Sequence, residues 1–196
     1  EARVAPEAID EEARKRGWPM GPFTLLDFVG IDVTVDVARF LTESYGDRMK
    51  MGTLLGEMLK LGRIGDKAGV GFYSNDESKE PVGNILERLY PNRRADVSAA
   101  NIFERMMSGV LKEAVCAVEN EIASKEDIEL GAKAGIFFPD SEFFHKEGPL
   151  HTIDKMGAST LVEKLERLEK DGGTRFSPRP LLREMADKEE KFFASW

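Results

Sequence analysis

The segment "GWPMGPFTLLDFVGID", residues 17–32, holds two prolines and three glycines, and its central part occurs twice in the chain. "GPFTLLDFVG" at 21–30 matches "GPLHTIDKMG" at 148–157, with Gly-Pro, Asp and the closing Gly at the same offsets. Upstream, residues 4–19 match residues 122–139 with two single-residue gaps. Because two copies are too few for a solenoid, the repeat predicts a duplicated helical domain.

Apolar residues recur at helical spacing along most of the chain. The longest pattern runs over 100–121, and only "GVGFYS" at 69–74 suggests an extended segment. We therefore predict an all-α protein of two tandem helical domains, at 1–83 and 95–196, joined by a linker at 84–94. The predicted helices cover residues 8–16, 32–45, 53–61, 100–121, 159–170 and 180–193. The apolar stripe of the longest helix consists of Ile102, Met106, Val110, Ala114 and Val118.

Composition argues against several classes of protein. The net charge is −8, with one short basic cluster, Arg14-Lys15-Arg16, so we expect no nucleic-acid partner, which would require a broad basic face. No apolar run approaches the roughly 20 residues that cross a bilayer, so we expect no membrane span. The single cysteine, Cys116, suits a small buried thiol in a reducing compartment. One cysteine and two histidines argue against a zinc site, and we expect no metal.

Copy two carries a helix that copy one lacks. The long helix at 100–121 precedes the shared block in copy two, whereas its equivalent in copy one would end near Glu1. A helical half-domain without its longest helix leaves an apolar face unburied. We therefore expect this chain to be a fragment of a longer protein, or to pair with another polypeptide.

The isolated aspartates of the opening segment favour architecture over acid–base chemistry. Asp32 is placed to cap the helix that follows, and Asp27 can accept hydrogen bonds from backbone amides inside the turn. No histidine or second carboxylate lies near them in sequence, as general acid–base catalysis would need. Asp154 repeats Asp27 in different surroundings, which supports the architectural interpretation. Trp18, Met20, Phe23 and Leu26 suit either the core or the wall of an acyl-sized pocket, and the sequence favours the core.

Other candidate sites have ordinary structural explanations. "GDKAGVGFY" at 65–73 is rich in glycine, but it lacks the Gly-Lys-Ser/Thr ending of a P-loop and does not join a strand to a helix. A tight turn is therefore favoured over a phosphate cradle. His145 and His151 favour solvated or hydrogen-bonded loop residues over a general base. Arg16 and its basic neighbours offset a helix dipole, with an anionic ligand contact as the alternative.

Two motif sets carry a family resemblance. "GWPMGPFTLLDFVGID" and "IGDKAGVGFY" resemble the C-terminal helical domain of 3-hydroxyacyl-CoA dehydrogenases. "DIELGAKAGIFFP" and "EGPLHTIDKMG", followed by "RFSPRPLLREMA", resemble a second such domain. This tandem is similar to that of the multifunctional fatty-acid β-oxidation α-subunits and of some fused dehydrogenases. The resemblance covers nearly the whole chain, is weakest at 74–99, and implies an all-α fold of the 6-phosphogluconate dehydrogenase C-terminal-like type.

The resemblance implies an enzyme whose reactive groups lie elsewhere. The family oxidises an L-3-hydroxyacyl-CoA to the 3-ketoacyl-CoA with NAD, which an N-terminal Rossmann domain binds beside a catalytic His–Glu pair. A family active-site asparagine falls before Glu1 in copy one, and Glu104 stands at the matching position of copy two. We therefore expect no catalytic and no cofactor-binding residue in this chain, which would be inactive alone.

The resemblance also implies partners and a substrate contact. It places one wall of the acyl-CoA cleft at Trp18, Pro19, Met20, Gly21, Pro22 and Phe23. Copy two would occupy the face that single-copy relatives use to dimerise, and a homodimer is compatible with this arrangement. Copy two departs from copy one at 140–147, so the resemblance carries no second binding site there. We expect a cytoplasmic or organelle-matrix protein, and the alternative is a non-catalytic helical dimerisation or scaffold module.

Overall fold

The computed structural model describes residues 4–74, 76, 78–92, 97–141 and 144–193. Within these residues the protein is all-α, as predicted, and the only β features are isolated bridges that join Val70 to Gly65 and to Ser74. The chain divides into two compact units. Unit 1 comprises residues 1–14 and 20–102, and unit 2 comprises residues 15–19 and 103–196. No helix of the described part is long and apolar enough to cross a membrane.

Five α-helices belong mainly to unit 1, together with short 3-10 turns at Gly46–Met49 and Asp66–Ala68. They are α1 (Pro6–Lys15), α2 (Pro22–Val29), α3 (Ile31–Tyr45), α4 (Leu54–Lys60) and α5 (Val82–Leu89). Five more belong mainly to unit 2, with a 3-10 turn at Thr174–Phe176. They are α6 (Ala99–Glu119), α7 (Lys125–Ile136), α8 (Pro149–Met156), α9 (Ala158–Gly172) and α10 (Pro180–Lys188).

The core of unit 1 forms where α3, α4 and α5 meet the loop that carries Phe72. Met58 and Ile31 are completely buried there, and Phe23 and Leu26 of α2 pack against the same cluster. The other buried members are Val35, Phe72, Val82, Ile85 and Leu86. The core therefore draws on residues from both ends of the unit.

Helix α5 occupies most of the segment predicted as a linker at 84–94. Ile85 and Leu86 are buried in the core of unit 1, so the chain is packed rather than extended at this point. Apolar residues recur at helical spacing over 82–89, and the neighbouring Pro81 and Gly83 obscured this pattern. Residues 93 and 94 of the predicted linker lie outside the described residues.

The core of unit 2 is built around α6, but the buried stripe differs from the predicted one by one residue. Phe103, Met107, Leu111 and Val115 are buried. Of the predicted stripe, Ala114 is buried, Ile102, Val110 and Val118 are half-buried, and Met106 is 40% exposed. Two neighbouring rows of this helix are apolar, and spacing by four alone does not distinguish between them. Further core residues come from the later helices: Leu150, Ile153, Leu161, Leu165, Leu182 and Met185.

The short helices α2, α7 and α8 were not predicted. Both α2 and α8 begin with a proline directly after glycine, and proline is tolerated at the first helical position because that N–H needs no helical partner. The predicted final helix, 180–193, is shorter in the structure. It ends at Lys188, where Glu189 takes a left-handed conformation with φ of 56°. Cys116 is buried, as predicted.

Asp32 does not cap α3 as predicted. Gly30 occupies the N-cap position, and its φ of 102° and ψ of 129° set the angle between α2 and α3. Asp32 lies inside the first turn, where its carboxylate is 2.5 Å from Lys67 Nζ. That hydrogen bond lowers the pKa of Asp32. A carboxylate in the first turn also complements the helix dipole, so the residue remains architectural.

Candidate functional site

The segment proposed to line an acyl cleft, residues 18–23, is divided between the two units. Trp18 and Pro19 belong to unit 2, whereas the residues from Met20 onward belong to unit 1. Each part has a separate structural role within its own unit. The described residues contain no group of three or more His, Cys, Asp or Glu side chains that could hold a metal ion.

Trp18 is the centre of an aromatic cluster in unit 2. Its ring meets those of three phenylalanines edge-on, with centroid distances of 5.2–5.7 Å. Its indole N–H donates a 3.2 Å hydrogen bond to the carbonyl of Ile136. Edge-to-face contacts and a satisfied indole N–H are typical of a packed tryptophan. The three phenylalanines are Phe103, Phe138 and Phe144.

Replacing Trp18 by alanine is expected to destabilise unit 2 by about 2–3 kcal/mol, because a partly buried aromatic side chain loses its packing. Urea unfolding of the two proteins measures this difference. Phe137→Ala is the matched control, since Phe137 is 66% exposed in the same unit and its removal should cost less than about 0.5 kcal/mol. Equal stability of Trp18→Ala and wild type would contradict a packing role.

Residues 21–23 build the beginning of α2 in unit 1. A Cβ at Gly21 would lie 2.2 Å from the Asp10 side chain, so only glycine fits. The Asp10 carboxylate accepts hydrogen bonds of 2.8 Å from the N–H groups of Phe23 and Thr24, which are otherwise unpaired at a helix start. The Phe23 ring packs on Phe72 with a centroid distance of 4.6 Å. Of the six proposed acyl-wall residues, Pro19 is exposed and Met20 is half-buried.

Asp27 joins α2 to a distant loop. The prediction that it binds amides inside its own turn is wrong: its two oxygens accept 2.8 Å hydrogen bonds from the N–H groups of Phe72 and Tyr73. Only 3% of the surface of Asp27 is exposed. Burial raises the pKa of Asp27, and the two N–H groups oppose this rise.

We expect the stability difference between the wild type and Asp27→Asn to grow as the pH falls from neutral, through the raised folded-state pKa of Asp27, toward the ordinary aspartate pKa of about 3.9. A carboxyl whose folded-state pKa is raised adds to the free energy of unfolding, and this stabilisation is complete below its unfolded-state pKa. The stabilisation is lost as the pH rises through the folded-state pKa. Asparagine does not titrate and lacks the contribution at every pH. Urea unfolding of both proteins over this range measures the trend, and a difference that shrinks in acid would contradict it.

The glycine-rich loop at 65–73 is fitted closely around Asp27. A Cβ at Gly71 would lie 2.0 Å from the Asp27 carboxylate, and one at Gly65 would lie 2.4 Å from its carbonyl oxygen. Arg63 is buried and donates from Nε to the carbonyl of Gly71 at 2.7 Å. The glycines therefore permit close approach of the loop to α2, in agreement with the tight turn that the sequence favours.

In unit 1, the carboxylates of Asp10 and Asp27 each accept hydrogen bonds from two successive backbone N–H groups, and we call each arrangement a carboxylate clamp. Unit 2 repeats both clamps. Asp154 accepts hydrogen bonds of 2.8 and 3.0 Å from the N–H groups of Phe192 and Phe193, as Asp27 does from its own aromatic pair. Glu129 accepts from the N–H groups of Leu150 and His151 at the start of α8. The two copies therefore share the same internal connections as well as the same motif.

The two histidines lie in the unit 2 clamp. His151 stacks on Phe193 at a centroid distance of 3.9 Å, and its Nδ1 lies 3.5 Å from a Glu129 carboxylate oxygen. The unit 1 counterpart of Phe193 is Tyr73, whose hydroxyl donates to Asp10 at 2.9 Å. Burial raises the pKa of Glu129. His145 accepts a hydrogen bond from the N–H of Glu147 at 3.2 Å, consistent with the structural role favoured from sequence.

The repeat predicts that unit 1 has an unburied apolar surface, but it does not show which residues form that surface. We call it the α2–α3 face. It consists of six residues that are 44–70% exposed: Leu25, Phe28, Val29, Val33, Val37 and Phe40. Contiguous exposed apolar residues of this kind mark an interaction surface.

The corresponding surface of unit 2 faces α6. In the alignment of the two copies, Leu25, Val29 and Val37 correspond to Thr152, Met156 and Lys164. These three unit 2 residues line one cavity together with residues of α6 that include Glu104. Leu25, Val29 and Val37 therefore present to solvent positions that line a cavity with α6 in unit 2. The counterparts of Phe28, Val33 and Phe40, which are Lys155, Thr160 and Arg167, are exposed in unit 2 as well.

A model of one protein family matches most of the chain. It is described as 3-hydroxyacyl-CoA dehydrogenase, C-terminal domain, and it matches residues 1–75 and 102–192. Two curated relatives are fatty acid oxidation complex subunits alpha. That of Shewanella halifaxensis is 36% identical over 96% of this chain, and that of Shewanella sp. strain MR-7 is 39% identical over 95%. The chain spans 27% of the length of each relative.

Solved structures show the same fold. 3-Hydroxybutyryl-CoA dehydrogenase from Escherichia coli aligns with a TM-score of 0.75 and 20% identity, over 95% of this chain and 56% of that chain. The dehydrogenase part of multifunctional enzyme 1 from C. elegans aligns with a TM-score of 0.64 and 21% identity, over 92% of this chain and 42% of that chain.

Proposed function

Because the chain belongs to the family of 3-hydroxyacyl-CoA dehydrogenase C-terminal domains, we propose that it is the substrate-binding and dimerisation region of an NAD-dependent L-3-hydroxyacyl-CoA dehydrogenase of fatty-acid β-oxidation. In this proposal an N-terminal domain supplies NAD binding and catalysis, and the chain acts in the cytoplasm, or in an organelle matrix if the source is eukaryotic. The relatives' description as fatty acid oxidation complex subunits supports the metabolic role.

The observation that carries the proposal is the exposed α2–α3 face. Leu25, Val29 and Val37 match positions of unit 2 that line a cavity with α6, so a helix similar to α6 would fit against this part of the face. We propose that the N-terminal part of the enzyme supplies this helix. Burial of these three apolar side chains would then favour docking, since each buried square ångström contributes about 25 cal/mol.

The described residues of this chain do not fit an NAD site. The glycine-rich loop at 65–73 follows no strand and opens no long helix, and two of its glycines are packed against Asp27. A dinucleotide site places the pyrophosphate at a helix N-terminus directly after a strand. The proposal therefore assigns NAD to the N-terminal domain.

The acyl contact remains proposed for residues 18–23, with a division of roles. Pro19 is exposed and Met20 and Pro22 are half-buried, so these three are the candidates to touch the acyl chain. Trp18, Gly21 and Phe23 act as positioning residues, since their contacts fix the segment that carries Pro19 and Met20. No residue of the chain is assigned a proton-transfer role.

A chimera tests the proposal. The matched region of the Shewanella halifaxensis subunit is replaced by this chain, and NADH oxidation that depends on acetoacetyl-CoA is measured. We expect turnover from the chimera and none from this chain alone or from the subunit without its matched region. A chimera that is folded and binds NADH, but shows no turnover, would overturn the proposal.

A helical dimerisation or scaffold module is the second candidate, because the same α2–α3 face could serve self-association. It predicts a stable dimer at low concentration and no effect of acyl-CoA on the melting temperature of the chimera. A real acyl cleft predicts a melting temperature that rises with acyl-CoA concentration. Sedimentation and thermal melting therefore separate the two candidates.

A further inference from the structure

Unit 2 contains a small cavity between α6, α8 and α9 that the proposed reaction does not use. Its volume is about 110 Å³. Its apolar lining includes Phe103, Met107 and Leu111, which are at least 93% buried. An apolar cavity of about 150 Å³ holds a benzene molecule, so this one suits a short alkyl group.

Two cationic side chains also line the cavity. Arg16 is 8% exposed, and its guanidinium lies over the Phe103 ring at 5.1 Å from the centroid. Lys164 is half-buried, and no carboxylate of the described residues lies within 4.0 Å of its ammonium group. Since a partly buried ammonium group without a counter-ion is unfavourable, Lys164 gains from a ligand that brings a negative charge.

Glu104 is the only acidic residue among the described residues that line this cavity. Its carboxylate is 4.0 Å from the Arg16 guanidinium, and its side chain is 52% exposed. It can therefore turn toward solvent without being buried unpaired. Glu104 lies beside Arg16, so Lys164 is the cation of the lining that favours a monoanion.

We propose that this cavity binds a small monocarboxylate with an alkyl tail of about three to four carbons. The carboxylate pairs with Lys164, and the tail lies on Phe103, Met107 and Leu111. This site lies wholly within unit 2 and is independent of the proposed acyl-CoA cleft. The unit 1 counterpart of Lys164 is Val37, so the repeat carries no equivalent cation.

Amide NMR of the 196-residue chain, titrated with pentanoate, tests the site. We expect saturable shifts confined to residues that line the cavity, with a Kd near the millimolar range for so few atoms. Acetate lacks the tail and 1-butanol lacks the charge, and each should bind about tenfold more weakly. Equal binding of 1-butanol would overturn the carboxylate assignment.

Lys164→Met keeps the side-chain length, removes the charge, and should weaken pentanoate binding about tenfold. Lys170→Met is the matched control, because Lys170 is exposed on the same helix and should bind pentanoate as the wild type does. Met107→Trp fills the cavity and should abolish the shifts in a protein that remains folded. Unchanged affinity in Lys164→Met, or shifts spread over surface lysines, would overturn the proposal.

Discussion

Replacing Asp27 by alanine is expected to destabilise unit 1 by about 3 kcal/mol, because two backbone N–H groups lose a buried carboxylate acceptor. The N–H groups of Phe72 and Tyr73 are the donors, and the alanine side chain cannot reach them. Urea unfolding gives the free energy, and amide hydrogen exchange at residues 72 and 73 shows whether the loss is local.

Two comparisons sharpen this prediction. Asp154→Ala removes the equivalent clamp of unit 2 and should cost a similar amount, with faster exchange at Phe192 and Phe193 instead. Asp36→Ala is the control, because Asp36 lies on the surface of α3 in an exposed pair with Arg39 and such pairs contribute less than about 1 kcal/mol. If Asp27→Ala and Asp36→Ala are equally stable, the clamp is not a stabilising element.

The largest expected effect on activity comes from the α2–α3 face. The triple variant Leu25→Lys, Val29→Lys and Val37→Lys places charges at the three positions whose unit 2 counterparts line a cavity with α6. The three side chains are 46–53% exposed in the isolated chain, so its unfolding free energy should change by less than about 1 kcal/mol. In the chimera, turnover should fall about 100-fold, because a helix that is misplaced by about 1 Å disturbs catalytic geometry.

A second triple variant controls for the added charge. Ala123→Lys, Ala134→Lys and Thr174→Lys adds three positive charges at exposed positions of unit 2. Its chimera should turn over at nearly the wild-type rate. Equal losses in both triple variants would attribute the effect to charge and would contradict a specific role for the α2–α3 face.

The all-α fold and the duplication were both accessible from sequence, because helical spacing and ordered motif matches are local signals. The partners of Asp27 were not accessible, since they lie 45 and 46 residues further along the chain. Sequence showed that the aspartate recurs, but only the fold showed that each copy fixes an aromatic pair. The recurrence of Phe72-Tyr73 as Phe192-Phe193 is visible in the sequence and could have indicated the clamp.

The candidate site was predicted less well than the fold. The sequence allows Trp18 and Phe23 to lie either in the core or in an acyl pocket. Their aromatic contacts show that both side chains are packed inside their units. The exposed apolar surface instead lies on α2 and α3. The spacing of the apolar residues in these helices is that of ordinary core positions. Whether an apolar helical face is covered depends on which chain segments are present, and periodicity alone does not contain that information.

Amide hydrogen exchange of α2 and α3, in the isolated chain and in the chimera, tests the central claim most directly. If a helix of the N-terminal part covers the α2–α3 face, exchange over Pro22–Val29 and Ile31–Tyr45 should be slower in the chimera. Exchange in α8 and α9, which face α6 in both proteins, should be nearly the same. Equal exchange of α2 and α3 in the two proteins, with a chimera that binds NADH, would contradict the claim.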